Sequence, residues 1–103
     1  MKHRVRCTQV VLMALAAASA AAQAADDQAR VWAASCAACH GTQGRSAGGI
    51  PSIAGLEQAL LREKLLAFRQ GTLPSTVMHQ HAKGYTDQEL ERVALFFSQQ
   101  APR

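Results

Sequence analysis

Cys36-Ala37-Ala38-Cys39-His40 is the stretch on which the rest of this 103-residue chain turns. Two thiols followed at once by an imidazole place three reactive groups within little more than one helical turn. The residues leading in have a helical pattern. Ala29, Trp32, Ala33 and Cys36 fall at i, i+3, i+4 and i+7, one face of a helix expected over about Asp27 to Cys36. Asp26 and Asp27 suit its N-terminus, by capping and by the macrodipole. The residues leading out do not continue it. Gly41, Gly44, Gly48, Gly49, Pro51 and Gly55 have the composition of a loop.

Two more helices follow. Leu61, Leu65 and Phe68 make an apolar stripe over about Leu56 to Gln70, widened by Leu60 and Ala67. Gly71 suits the C′ position, and Pro74 discourages continuation. Thr86-Asp87-Gln88-Glu89 is a T-x-x-E capping box. Leu90, Val93, Ala94 and Phe97 supply the buried stripe that it introduces. Gly71 to Tyr85 reads as a second loop, and no alternating β-branched run is long enough for a strand. The fold class is all-α: three main helices and two long loops. Loops of that length in a small domain need something to organise them.

The central motif is C-x-x-C-H, the attachment signal for a c-type haem. The two thiols would form thioethers to the porphyrin edge, and the next imidazole would ligate the iron from below. Other chemistries compete for a C-x-x-C pair. A thioredoxin-like redox pair needs a βαβ context, which this chain lacks. A structural zinc site could draw on His40 with His79 or His81, although adjacent Cys39 and His40 fit poorly around a tetrahedral ion. A plain disulfide is the remaining alternative.

A haem iron so held has one further axial position. Met78 offers a soft thioether, and a His/Met pair raises the reduction potential. It could also be a gap-filling core residue. His79 and His81 are rivals for the same position, through bis-histidine ligation. Pro51, eleven residues beyond His40, offers a carbonyl that could accept from the imidazole and fix its tautomer. It could equally be a turn-forming proline. Trp32, Phe68, Phe96 and Phe97 are read as core.

The N-terminal segment is of a different kind. Lys2, Arg4 and Arg6 precede an apolar, alanine-rich run from Val10 to Ala22, and Ala22-Gln23-Ala24 is an A-x-A site. Residues 1–24 read as a cleaved signal peptide, with an uncleaved membrane anchor as the competing reading. The run is well short of the ~20 residues that span a bilayer, so no membrane span is expected in the mature chain. Cys7 would leave with the leader. The formal charge is +4 for the whole chain. Without the leader it falls to eight basic against seven acidic residues. That balance gives no argument for nucleic-acid binding. The remaining residues 25–103 form one small domain, of a size that needs a staple such as a disulfide or a metal. A covalent haem would serve.

The chain resembles the monohaem class I cytochromes c over the whole of residues 25–103. The resemblance rests on a helix running into CAACHG, the loop IPSIAG, a middle helix ending at Gly71, the segment TVM and a capped last helix. It implies that the first and last helices cross, Ala29, Trp32 and Ala33 meeting Val93, Ala94 and Phe97. It implies one haem c attached through Cys36 and Cys39, His40 as proximal ligand, Met78 as distal ligand, and Pro51 as the carbonyl that fixes His40. Phe68-Arg69-Gln70-Gly71, Thr76-Val77-Met78 and Ala82-Lys83-Gly84-Tyr85-Thr86-Asp87 look most like the haem subunit of flavocytochrome c sulfide dehydrogenase.

The expected function is a periplasmic one-electron carrier, not an enzyme by itself, with no catalytic residue. A six-coordinate iron leaves no place for a substrate. The alternative is the haem subunit of a flavin-dependent sulfide dehydrogenase, passing electrons from the flavoprotein to a respiratory or photosynthetic chain. Its partners would be redox proteins, either a flavoprotein dehydrogenase subunit or a terminal oxidase or reductase. A gas-binding or peroxidatic protein would follow if Met78 were absent from the iron. Gln43, Arg45 and the Met78 loop are candidates for partner contact.

Overall fold

A computed structural model describes residues 2–102, with side chains for 9–19 and 27–102. The side chains of Cys7 and of Ala22-Gln23-Ala24 therefore lie outside the described residues. Among the described residues the elements are all helical. Helix α1 spans Lys2–His40, α2 Gln58–Gln70, α3 Met78–Lys83 and α4 Asp87–Ser98. A 3-10 turn at Thr42–Gly44 follows α1.

Helix α1 is longer than the pattern suggested at both ends. It runs on through the C-x-x-C-H residues because Ala37 and Ala38 are good helix formers, and it stops only at Gly41, where φ is 86°. Upstream, the alanine-rich stretch has no breaker, so the helix extends back to Lys2. Asp26 and Asp27 consequently stand inside a helix in this chain and do not begin one. The upstream half projects from the body of the molecule, whose longest extent is 67 Å. Val10, Val11, Leu12, Met13 and Leu15 are all exposed there. Among the described side chains of α1 the first buried one is Ala29, and Ala33 follows one turn later. Among the described residues no helix is long and apolar enough to cross a membrane.

The core is the crossing of α1 and α4, closed on one side by α2. Ala33, Leu61, Val93, Ala94 and Phe97 form its buried centre. Trp32, Cys36, Ile53, Leu65 and Phe96 pack against it. Ala33 and Ala94 are almost wholly inaccessible, and their small side chains let the two helices approach closely. Phe96 and Phe97 meet edge to face, with ring centres 5.2 Å apart. The Arg92 guanidinium lies over the Trp32 ring at 4.9 Å, covering the outer edge of the crossing.

The helix ends follow local chemistry. Gly71 takes the left-handed conformation after α2, with its amide on the Phe68 carbonyl and the Thr72 amide on that of Ala67. The Thr86 box is complete. The Glu89 amide donates to Thr86 Oγ1 at 3.2 Å, and the Thr86 amide donates to Glu89 Oε2 at 2.8 Å. One expectation needs correction. The segment from Gly71 to Tyr85 is not loop throughout, because it contains α3. Six residues are too few to show a periodic stripe, and Ala82 is the one buried residue on α3.

Candidate functional site

The three main helices, α3 and the glycine-rich loop enclose a cavity of about 450 Å³. Its walls are mostly apolar. Leu61, Leu65 and Phe68 come from α2, and Val93, Ala94 and Phe97 from α4. The inward stripes of both helices, read as core, therefore face a cavity as well as each other.

The C-x-x-C-H residues form one wall. Cys36, Cys39 and His40 all line the cavity, at the last turn of α1. Cys36 is half-buried, and burial pushes its thiol above the usual range. Cys39 is exposed at the rim. The two cysteines are not bonded to each other. Among the described residues no group of three or more His, Cys, Asp or Glu side chains could hold a metal ion, so the zinc alternative lacks its ligand set.

His40 is oriented by the loop that follows. Its Nδ1 lies 2.7 Å from the Pro51 carbonyl. A carbonyl can only accept, so Nδ1 carries a proton, and in the neutral imidazole the lone pair is then on Nε2. The loop is shaped to bring Pro51 there. The Ile53 and Ala54 amides both donate to the Gly44 carbonyl, at 2.8 and 3.1 Å. Ser52 Oγ accepts from the Ser46 amide at 2.9 Å. A side chain at Gly41 would meet the Arg45 carbonyl oxygen at 2.0 Å, so the turn after His40 admits glycine alone.

Met78, at the start of α3, lines the cavity together with Pro74, Ser75, Thr76 and Val77. His81 lines it too, one turn further along α3. His79 does not. Its ring Nδ1 lies 3.1 Å from Ser75 Oγ, and it borders a separate polar depression with Arg69 and Lys83. Arg45, a candidate for partner contact, is committed within the molecule. Its guanidinium donates to the Ala101 carbonyl at 3.2 Å and to Gln43.

Comparison with known proteins gives this arrangement a family. The family model described as cytochrome c oxidase, cbb3-type, subunit III matches residues 23–97. A cytochrome c-554(547) of Halothiobacillus neapolitanus is 32% identical over 76 residues, which cover 63% of this chain and 84% of that protein. The chain belongs to the cytochrome c family. The cytochrome is also 48% identical over 63 residues to the cytochrome subunit of sulfide dehydrogenase of Chlorobaculum tepidum. That match covers 61% of this chain and 57% of the relative. A thiosulfate dehydrogenase electron acceptor of Stutzerimonas stutzeri is 37% identical over 82 residues, 71% of this chain and 38% of that protein. The cytochrome thus spans little more than half the length of the first of these two, and less of the second.

Family membership gives the cofactor class, a single covalently bound haem c, and the residues present fit it. The cavity is apolar where a porphyrin face needs apolar contact. Two thiols stand on one edge of it, and an imidazole with a fixed tautomer stands beside them. A thioether, that of Met78, is carried on the cavity lining by the start of α3. Sequence reasoning missed two participants. Lys64, exposed on α2 between Leu61 and Leu65, lines the cavity as its one Lys or Arg. Ser35 lines it as well, bonded to Tyr85 at 2.9 Å. No sequence pattern announces a contact between residues so far apart.

Proposed function

We propose that this cytochrome is a one-electron carrier of the periplasm, in which Cys36 and Cys39 hold the haem through thioether bonds and His40 and Met78 are its axial ligands. The observation that carries the reading is the bond from His40 Nδ1 to the Pro51 carbonyl. It leaves Nε2 as a lone-pair donor aimed by two separate chain segments, which a structural histidine would not require. The haem, when bound, supplies the one-electron chemistry. The chain does the rest. Leu61, Leu65, Phe68 and Phe97 exclude water, and the Pro51 carbonyl holds the His40 ring in place through Nδ1. Cys39 leaves the covalent edge at the surface, where a partner could approach through a small, transient interface.

Residues 1–24 are read as a leader removed on export, leaving 25–103 as the cytochrome domain. The exposed apolar side chains from Val10 to Leu15 and the start of burial at Ala29 support that reading. So does a family match that begins at residue 23. Cleavage would also restore Asp26 and Asp27 to a helix N-terminus, where the macrodipole favours them.

A second reading makes the chain the haem subunit of a flavin-dependent sulfide dehydrogenase. The identity to the Chlorobaculum tepidum subunit favours it. One absorption spectrum of protein gently purified from its native periplasm separates the two. A c-type haem spectrum alone supports the free carrier. Haem with flavin in comparable amount supports the subunit. No haem at all overturns both. Met78→Ala should remove the sulfur-to-iron absorption of the oxidised protein and lower its potential. An unchanged spectrum would transfer the distal role to His81.

A further inference from the structure

We propose that Tyr85 is a positioning residue for the distal side of the site, its phenol tying the segment that carries Met78 to the helix that carries Cys36 and His40. The inference rests on the reading of Met78 as a ligand and goes beyond it.

Tyr85 follows α3 by two residues. Its amide donates to the Ala82 carbonyl at 3.3 Å, which joins it to the last turn of α3. Its hydroxyl lies 2.9 Å from Ser35 Oγ, fifty positions away in the chain. Ser35 spends its own proton on the Trp32 carbonyl at 2.9 Å. Ser35 Oγ is therefore the acceptor and the phenol the donor. Ser35 immediately precedes Cys36, and its Oγ is 4.0 Å from that sulfur. The Tyr85 carbonyl accepts from Arg69 Nη1 on α2 at 3.1 Å, and Arg69 also pairs with Asp87. One residue thus links α1, α2, α3 and, through Arg69, the first turn of α4.

The distal segment needs such a link. A helix of six residues does not persist by its own hydrogen bonds. Ala82 is its one buried side chain, and Val77 beside Met78 is 53% exposed. Ser75 Oγ accepts from the His79 amide at 3.1 Å and secures the N-terminal end. Tyr85 secures the other. A segment with so little burial opens locally at low cost, and each tie sets how often. Removing one neutral hydrogen bond should raise the opened population about two- to fivefold.

The test uses the intact haem-loaded protein and its Tyr85→Phe, Ser35→Ala and double variants. Tyr85→Phe keeps the ring and removes the donor. Two quantities are read: the rate of carbon monoxide binding to the reduced protein, which requires Met78 to leave the iron, and the denaturant midpoint at which the sulfur-to-iron absorption is lost. Helix content gives the global midpoint for comparison. The expected result is carbon monoxide binding about two- to fivefold faster in each single variant, ligand loss well before helix loss, and a double variant no worse than either single. Glu91→Ala, which removes an ion pair with Arg62 between α2 and α4, should leave the rate unchanged. A wild-type rate in Tyr85→Phe overturns the proposal. So does a Tyr85→Phe shift in which ligand loss and helix loss move together, since that marks a merely stabilising role. Met78→Ala separates the two readings. If Met78→Ala leaves the spectrum of the oxidised protein unchanged, because the wild type has no sulfur-to-iron absorption to lose, the ligand assignment fails. If it loses that absorption while Tyr85→Phe behaves as wild type, the Tyr85 proposal alone fails.

Discussion

The two walls of the cavity are built from different forces. The wall that carries Cys36, Cys39 and His40 stands on the α1–α4 crossing. Ala33, Val93, Ala94 and Phe97 are each no more than 2% exposed there. Its turn is sealed by Gly41 against the Arg45 carbonyl and by the Pro51 bond to His40. The wall that carries Met78 has one buried alanine, a six-residue helix and a set of side-chain hydrogen bonds from Ser75, Tyr85 and Arg69. Burial is cooperative and fails all at once, whereas exposed hydrogen bonds fail one by one. The contrast teaches that the His40 wall is part of the fold, and that the Met78 wall rests on contacts that can loosen while the fold persists.

The sharpest way to break that contrast is at the crossing. Phe97→Ala should cost about 3–5 kcal/mol, because it removes a fully buried ring and leaves a cavity. Denaturant unfolding followed by helix content measures it, and a cost below about 1 kcal/mol would show that the crossing does not carry the fold. Gly41→Ala comes next. A methyl group there meets backbone at a positive φ, so a loss of about 2 kcal/mol is expected, together with a changed proximal-ligand spectrum. An unchanged spectrum would mean that the turn does not hold His40.

Smaller effects sharpen the comparison at its edges. Thr86→Ala removes the capping box and should cost about 1 kcal/mol, with α4 fraying first in hydrogen exchange. Glu91→Ala removes the Arg62 pair and the Gln58 bond on the exposed α2–α4 face. It should cost under about 1 kcal/mol, less still at high salt. The haem-free chain offers one kinetic check. Maleimide should label exposed Cys39 before half-buried Cys36, whose raised thiol pKa leaves less thiolate at a given pH. The rate at Cys36 should climb as pH rises through that shifted range. Equal rates would show that Cys36 is not held against the core.

Much of the fold was written locally. The Thr86 box, the Gly71 stop and the stripes of α2 and α4 each depend on residues a few positions apart, and the structure realises all of them. The haem-binding class followed from five consecutive residues, Cys36 to His40, because covalent attachment needs only that spacing. The extent of α1 did not follow, since an alanine-rich run carries no stop signal until Gly41. Nor did α3, which is too short to show a period.

What the sequence alone determined was local: the C-x-x-C-H signal and its cofactor class, the apolar faces of α2 and α4, the stop at Gly71 and the cap at Thr86. Only the tertiary structure decided which of three neighbouring candidates lines the cavity, setting Met78 and His81 on its wall and turning His79 toward Ser75. It also decided that Lys64 lines the cavity and that Tyr85 reaches Ser35. The physical reason is distance along the chain. Spacing within one turn of helix is legible in a sequence, but a contact across fifty residues exists only once the helices have packed.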